Sequence, residues 1–251
     1  MNGFITLMYH EVIDREGYNR EKYKGIKVKQ DYYDILPEEL FCFKDEFEKQ
    51  MAYLYENGYT TLTIEQVIDF YYTNKPIPDK SVLLTFDDAY KSVLLNAYPT
   101  LKKYNFHAVG FVVLGWIFDE PQEYIKDYSV CMSKDELLSM SDVFEYGNHT
   151  NLLHTRKGMK SALQTEDKKT VLEDLEECED FVTAKKIFAY PFGLYKKENI
   201  DWLKEFGTLL AFTSSNGFNT KETNPLELHR NACLLRYSIN DFKNILMEYF
   251  N

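Results

Sequence analysis

The chain has 251 residues, 45% of them hydrophobic and 16% aromatic, enough to bury a large core at a length that a single α/β barrel often fills. Its formal charge of −11 argues against nucleic acid and anionic lipid as partners, because both need basic surface to neutralise phosphate, and favours a neutral or cationic substrate. Cys42, Cys131, Cys178 and Cys233 are widely spaced with no C-x-x-C pair, and read as buried or partly buried thiols rather than a disulfide frame.

One domain over residues 1–251 is the expectation. Met1 to Met8 lacks a basic n-region and a long apolar run, and no later stretch approaches the ~18 apolar residues of a membrane span. As written, the sequence reads as cytoplasmic with no transmembrane segment; a chain trimmed of a leader would read the same. The oligomeric state is not legible.

Phe4 to Tyr9 is short, apolar and β-branched, a buried strand that delivers His10 and Glu11 to its C-terminal end. Residues 12–36 are polar, tyrosine-rich and without period, too long for a simple connector, and are expected to border a substrate groove. Phe47, Met51, Leu54 and Tyr55 predict a helix from Lys44 to about Asn57, stopped by Gly58. Thr63 to Gln66 has the form of a capping box that opens a second helix, and Pro76 and Pro78 close it.

Val82 to Phe86 reads as a parallel strand buried on both faces and ending on Asp87-Asp88. Val93, Leu94, Ala97 and Leu101 mark a helix, and Ala108 to Leu114 another buried strand. Leu137 and Leu138 fit a short helix before a strand over 143–147, which ends at Asn148-His149. A helix around Val171 to Leu175, a strand at 187–190 leading into Pro191-Phe192-Gly193, a helix through Ile200 to Phe206 and a strand at 209–213 complete the series. Repeated β/α units predict an α/β barrel with its active site at the carboxyl ends of the strands.

Two carboxylates directly after a hydrophobic strand are costly to bury unless they are paired or bind a cation. Successive strand residues face opposite ways, so only a turn lets Asp87 and Asp88 share a pocket; the pair equally reads as an N-cap for the next helix. His149 and His154 stand five residues apart, an offset that turns the rings by roughly 140° on a helix and to opposite faces on a strand. Joint ligation therefore requires a bend. One Asp with two His makes a three-ligand set that leaves a metal position open for water, and a second carboxylate nearby could take that water's proton.

Tyr9-His10-Glu11-Val12, Thr85-Phe86-Asp87-Asp88, His149-Thr150-x-x-x-His154 and Tyr190-Pro191-Phe192-Gly193, in this order, resemble the polysaccharide deacetylase superfamily, carbohydrate esterase family 4, from about Thr6 to Arg230. The histidine spacing is similar to that of the branch containing the poly-N-acetylglucosamine deacetylases. The resemblance implies a distorted (β/α) barrel with fewer than eight regular units. It also implies a divalent metal, zinc first, with cobalt, nickel and manganese as alternatives. Asp87 falls on the catalytic base, Asp88, His149 and His154 on the metal ligands, and Thr150 on the residue supporting the histidine loop. Pro191 and Phe192 fall on a groove-lining segment whose backbone N–H helps hold an oxyanion.

The sequence departs from the pattern in three places. Ala89 replaces the usual glycine after the Asp pair, Phe188 stands where many relatives have an arginine that tethers the base, and the tryptophan-containing segment near 212–218 is not recognisable. His229, in Leu226-Glu227-Leu228-His229, has the form of the family's general acid, but is equally a surface or packing residue; Arg230 fits a different ending that needs no histidine. His10 lines the groove or is a strand-end histidine satisfied by backbone, and His107 is structural or solvated. Tyr18, Tyr23, Tyr32 and Tyr33 could offer flat surfaces to sugar rings or to a dimer partner.

The resemblance thus implies hydrolysis of the N-acetyl group of an amino sugar or glycan. The alternatives are an amidase on a non-sugar amide, and a catalytically weakened carbohydrate-binding protein, which a missing arginine would favour.

Overall fold

A computed structural model describes residues 2–250. Six parallel strands follow one another in chain order across the main sheet: β1 (Gly3–Tyr9), β2 (Ser81–Asp87), β3 (Ala108–Val112), β4 (Phe144–Asn148), β5 (Ile187–Ala189) and β6 (Leu210–Phe212). Three further two-residue strands extend it: Thr60–Thr61 and Asn231–Ala232 pair parallel with β2 and β1, and Asn219–Thr220 antiparallel with β1. The sheet curls until one short segment meets both its edges. Leu228 bridges to Phe212 of β6, while Asn231 and Ala232 pair with Leu7 and Met8 of β1. This is the α/β distorted barrel, with fewer than eight regular units, expected from the sequence.

Alternation along the strands sorts the core into an inside and an outside. Phe4, Leu83, Val109, Phe111, Ile187, Ala189, Leu210, Phe212 and Leu228 form one buried cluster with Ile64, Val67 and Phe70 of the helix Ile64–Tyr72. They fill the barrel, and the edge-on contact of Phe4 with Phe70 sets that helix across its amino end. Gly147 belongs to this layer by necessity, because a Cβ there would come within 2.6 Å of the Ile187 side chain and 2.9 Å of Phe111. The intervening residues Ile5, Leu7, Val82, Leu84 and Phe86 face outward onto Phe47, Met51 and Leu54 of the helix Lys44–Glu56 and onto Phe242 and Leu246 of the helix Ile239–Phe250. On the other flank, helices Lys168–Phe181 and Lys197–Phe206 cover Phe188, Tyr190 and Ala211.

The capping box at Thr63 and Gln66 is formed, and Gly207 ends the Lys197–Phe206 helix in the left-handed conformation, φ 83°. The helix expected through Val93 to Leu101 begins as a π-helical stretch, Val93–Ala97, before becoming α-helical at Tyr98–Lys103. All four cysteines are free and buried. Among the described residues, no helix is long and apolar enough to cross a membrane.

Candidate active site

Every strand of the barrel delivers a residue to one cavity of about 280 Å³ at the carboxyl ends: Met8 and His10 from β1, Asp87 and Asp88 from β2, Trp116 beyond β3, His149 and His154 beyond β4, Phe192 beyond β5, Ser214 beyond β6, and Arg230 from the closing segment. Asp87 continues the inward series Leu83, Thr85. Asp88 should then point outward, and a left-handed turn reverses it: Asp88 and Ala89 have φ of 70° and 56°. The turn keeps this shape although Ala89 lacks the freedom of glycine. It also settles the N-cap alternative, since neither carboxylate caps a helix. Thr150 (φ 77°), next to His149, and Phe192 (φ 58°) are also left-handed, so four non-glycine residues with positive φ lie at or directly beside residues that line the cavity. Such strain survives only where the surroundings over-determine it.

Asp88, His149 and His154 converge. Their ligand atoms lie within 4.8 Å of one another, and Asp88 Oδ1 is 3.7 Å from His149 Nε2 and 3.6 Å from His154 Nε2. Donors about 2.1 Å from a tetrahedral cation stand about 3.4 Å apart, so these spacings fit one divalent ion. The chemistry agrees. Asp88 Oδ1 is buried without a hydrogen-bond partner, and burial, with the Asp87 charge beside it, raises its carboxyl well above the usual range. A cation would relieve both penalties. Burial lowers both histidines, keeping the imidazoles neutral as ligation requires. His149 Nδ1 lies 2.8 Å from the Ala189 carbonyl; a carbonyl only accepts, so Nδ1 carries the proton and Nε2 presents its lone pair to the site.

Asp87 is held differently. Arg230 Nη1 donates to Asp87 Oδ1 at 2.6 Å, and Arg230 Nε donates to the Thr213 carbonyl at 2.8 Å. Both side chains are almost wholly buried. Burial works to raise the Asp87 carboxyl, but the Arg230 guanidinium bound to it outweighs this and holds the group well below the usual carboxylate range. The carboxylate expected as the base therefore does have an arginine. Position 188 could not have supplied it, because Phe188 packs in the outer layer with Leu175 and Leu203, and the inward neighbour on β5 is the short Ala189. The guanidinium comes instead from the segment that closes the barrel. Leu228 faces inward, so Arg230, two residues on, does too.

The remaining expected residues divide. His10 lines the cavity, with Nε2 3.8 Å from Asp87 Oδ2, and burial pushes its imidazole down to about 4 against the attraction of Asp87. Phe192 lines it too, its ring 4.3 Å from that of His154, whereas Pro191 is buried and does not line the cavity. Tyr190 and Gly193 spend their N–H groups on the carbonyls of Phe212 and Tyr190, and Pro191 has none, so the segment's remaining donor is that of Phe192. Thr150 does not line the cavity and its buried hydroxyl has no partner, so the expected side-chain support of the histidine loop is not made by Thr150. His229, expected as the general acid or as a surface or packing residue, borders a separate open hollow with Tyr195, Thr220, Glu222 and Glu227, its ring against Gly217. His107 pairs with Glu145 at 2.7 Å, away from the cavity.

Ile26, Asp34, Ile35 and Leu36 from the long segment line the cavity, as its length and composition suggested. Its tyrosines do not act as a group. Tyr18 and Tyr23 pack on Phe41 and Tyr32 stacks on Trp116, leaving Tyr33 the exposed one. Arg156 binds Asp34 through two parallel hydrogen bonds of 2.8 Å and lies over the Phe192 ring, tying the segment to the wall of the cavity.

Residues 74–211, more than half of the chain, match the polysaccharide deacetylase family. The chain belongs to that family. The poly-beta-1,6-N-acetyl-D-glucosamine N-deacetylase of Staphylococcus aureus (strain MSSA476) is 30% identical over 196 residues, 74% of this chain, which spans 66% of that relative's length. Two solved structures share the fold. The Streptococcus pyogenes deacetylase PplD, in complex with acetate, superposes with a TM-score of 0.77 at 20% identity, covering 97% of this chain and 98% of that one. IcaB from Ammonifex degensii gives 0.74 at 22% identity, covering 100% and 98%. His10 and Arg230 both lie outside the matched family segment, yet the barrel brings them to its carboxylates.

Proposed function

We propose that this polysaccharide deacetylase removes the N-acetyl group of an amino sugar or glycan by metal-assisted hydrolysis. The observation that carries the proposal is the pairing, in one cavity, of an orphaned Asp88 with two neutral histidines and of a second carboxylate, Asp87, bound to Arg230 instead. A divalent cation held by Asp88, His149 and His154 would supply Lewis acidity to the acetyl carbonyl and to a water beside it.

Asp87, ionised and fixed by Arg230, is placed to take the proton of the attacking water. The same grip makes it a weak base that does not retain the proton. His10, neutral and 3.8 Å away, is the titratable neighbour through which that proton can reach the departing amine. The N–H of Phe192 is the donor available to the developing oxyanion. Tyr190 and Trp116 add walls on which an acetamido methyl and a sugar ring can pack. The name of the Staphylococcus relative supports an N-acetylglucosamine polymer as the substrate.

Metal analysis of protein purified without added metal, followed by acetate release from N-acetyl sugars of increasing length, tests the reading. About one divalent ion per chain and acetate release dependent on it are expected. Metal binding with no acetate from any N-acetyl sugar would return the chain to the carbohydrate-binding alternative, which has lost its main support now that the base has its arginine.

A further inference from the structure

The loop between His149 and His154 must hold a bend that no regular element provides, and its backbone is fastened by side chains from outside it. The Thr150 N–H donates to Asn148 Oδ1 at 2.9 Å. The next two N–H groups turn to the helix Lys168–Phe181: Asn151 N donates to Asp174 Oδ1 at 2.8 Å and Leu152 N to Asp174 Oδ2 at 2.6 Å. Asp174 is buried, and both its oxygens are spent on this loop. Successive N–H groups closing on one carboxylate form an anion-binding concavity, here filled by the protein's own side chain. On the opposite side, Leu114 N and Gly115 N donate to the carbonyls of Thr150 and Asn151.

We infer that Asp174 is a positioning residue for the metal site: its carboxylate sets the 149–154 bend that brings the two imidazoles together opposite Asp88. The inference rests on the metal reading above. Asp174 touches neither the cavity nor the histidine rings, so it acts only through the backbone between them. The support that the Thr150 hydroxyl does not give is given by this carboxylate, and its loss frees two adjacent N–H groups at the centre of the loop. The ring separation then depends on a loop with a left-handed residue at Thr150 whose next two N–H groups have lost their acceptors.

Zn²⁺ affinity measured by competition with a chromophoric chelator tests this. Asp174→Ala should lower affinity by about 10- to 100-fold, the usual effect of removing a group that orients a ligand. Amide exchange at Asn151 and Leu152 should accelerate, and the visible spectrum of the Co²⁺-loaded protein should change. Val171→Ala, a cavity one turn earlier on the same helix, is the control. It should lower Tm comparably while leaving Zn²⁺ affinity at the wild-type level, measured well below either Tm. If Asp174→Ala does not fold, Asp174→Asn, which keeps one acceptor oxygen, is read in the same way. Wild-type Zn²⁺ affinity in the folded Asp174 variant overturns the inference, as does an equal loss in Val171→Ala. A wild-type chain that takes up no metal overturns the metal reading itself; faster exchange at Asn151 and Leu152 in the variant would then show that Asp174 still sets the loop.

Discussion

Asp87 and Arg230, 143 residues apart in the chain, meet at 2.6 Å inside the barrel, and each is nearly inaccessible to solvent. Removing one partner of such a pair leaves an uncompensated buried charge, at a cost of about 3–5 kcal/mol. Arg230→Met should therefore destabilise the fold by about that much in urea denaturation, and Asp87→Asn/Arg230→Met should recover part of the loss. Acetate release by Arg230→Met should fall on the order of 10²-fold in kcat through misplacement of the base. Additive losses in the double variant would show that the pair is not coupled.

His10 and His229 make opposite claims on the proton. His10→Ala should lower kcat by roughly 10²- to 10⁴-fold, the usual range for a general acid or base. His229→Ala, which alters a hollow on the other side of the Thr213–Ser215 strip, should stay within about twofold of wild type. Similar large losses in both would place His229 back in the reaction.

The Asp34–Arg156 fork ties the long segment to the cavity wall. Asp34→Ala should raise KM for an N-acetyl oligosaccharide by about tenfold, the equivalent of one charge-assisted contact, while bound metal, measured by elemental analysis, stays unchanged. Loss of metal in this variant would mean that the segment supports the site itself instead of substrate binding.

Glu11 follows His10 but faces away from the cavity, accepting a hydrogen bond from Ser92. Burial raises its carboxyl to about 7, against an ordinary 4.5. Between those values the folded chain keeps a proton that the unfolded chain has released, so this group's contribution is full below about pH 4.5 and declines as pH rises to about 7. Glu11→Gln keeps the shape without the charge. It should raise Tm at pH 8, by the equivalent of about 3 kcal/mol at most, and leave it nearly unchanged at pH 4.5. An equal effect at both pH values would exclude titration of Glu11 as the cause.

The strands, the main helices and the Asp-Asp and His-His pairs were legible because each is written locally, in alternation, caps or adjacent residues. Arg230 was not, since its role depends on the Leu228–Ala232 segment crossing between β6 and β1, a closure too short to show as a strand in sequence. Two-residue periodicity from Leu228 could have marked Arg230 as inward. It would also have marked His229 as outward, against the motif that suggested it as an acid. Phe188 misled for the same reason: its neighbours in the pattern were read, but the face on which it lies was not. The helix Ile239–Phe250 was also missed; its apolar residues Phe242 and Leu246 show helical spacing only once the segment is considered apart from the preceding loop.

Asp87 and Asp88 are adjacent, equally buried and chemically identical, so their substitution separates the proposed roles. Asp87→Asn keeps shape and removes the base, so Zn²⁺ content should persist while turnover falls by roughly 10²- to 10⁴-fold. Asp88→Asn should weaken the metal itself, because an amide oxygen replaces the one anionic donor among the three convergent groups. His149→Ala should likewise lower metal affinity more than Thr150→Ala, since the first removes a ring whose Nε2 faces Asp88 and the second a hydroxyl with no partner. Elemental analysis and acetate release on the same samples distinguish the cases. If Asp87→Asn loses metal as readily as Asp88→Asn, the two carboxylates share one ligand role and the proton must be taken elsewhere, with His10 the nearest neutral group.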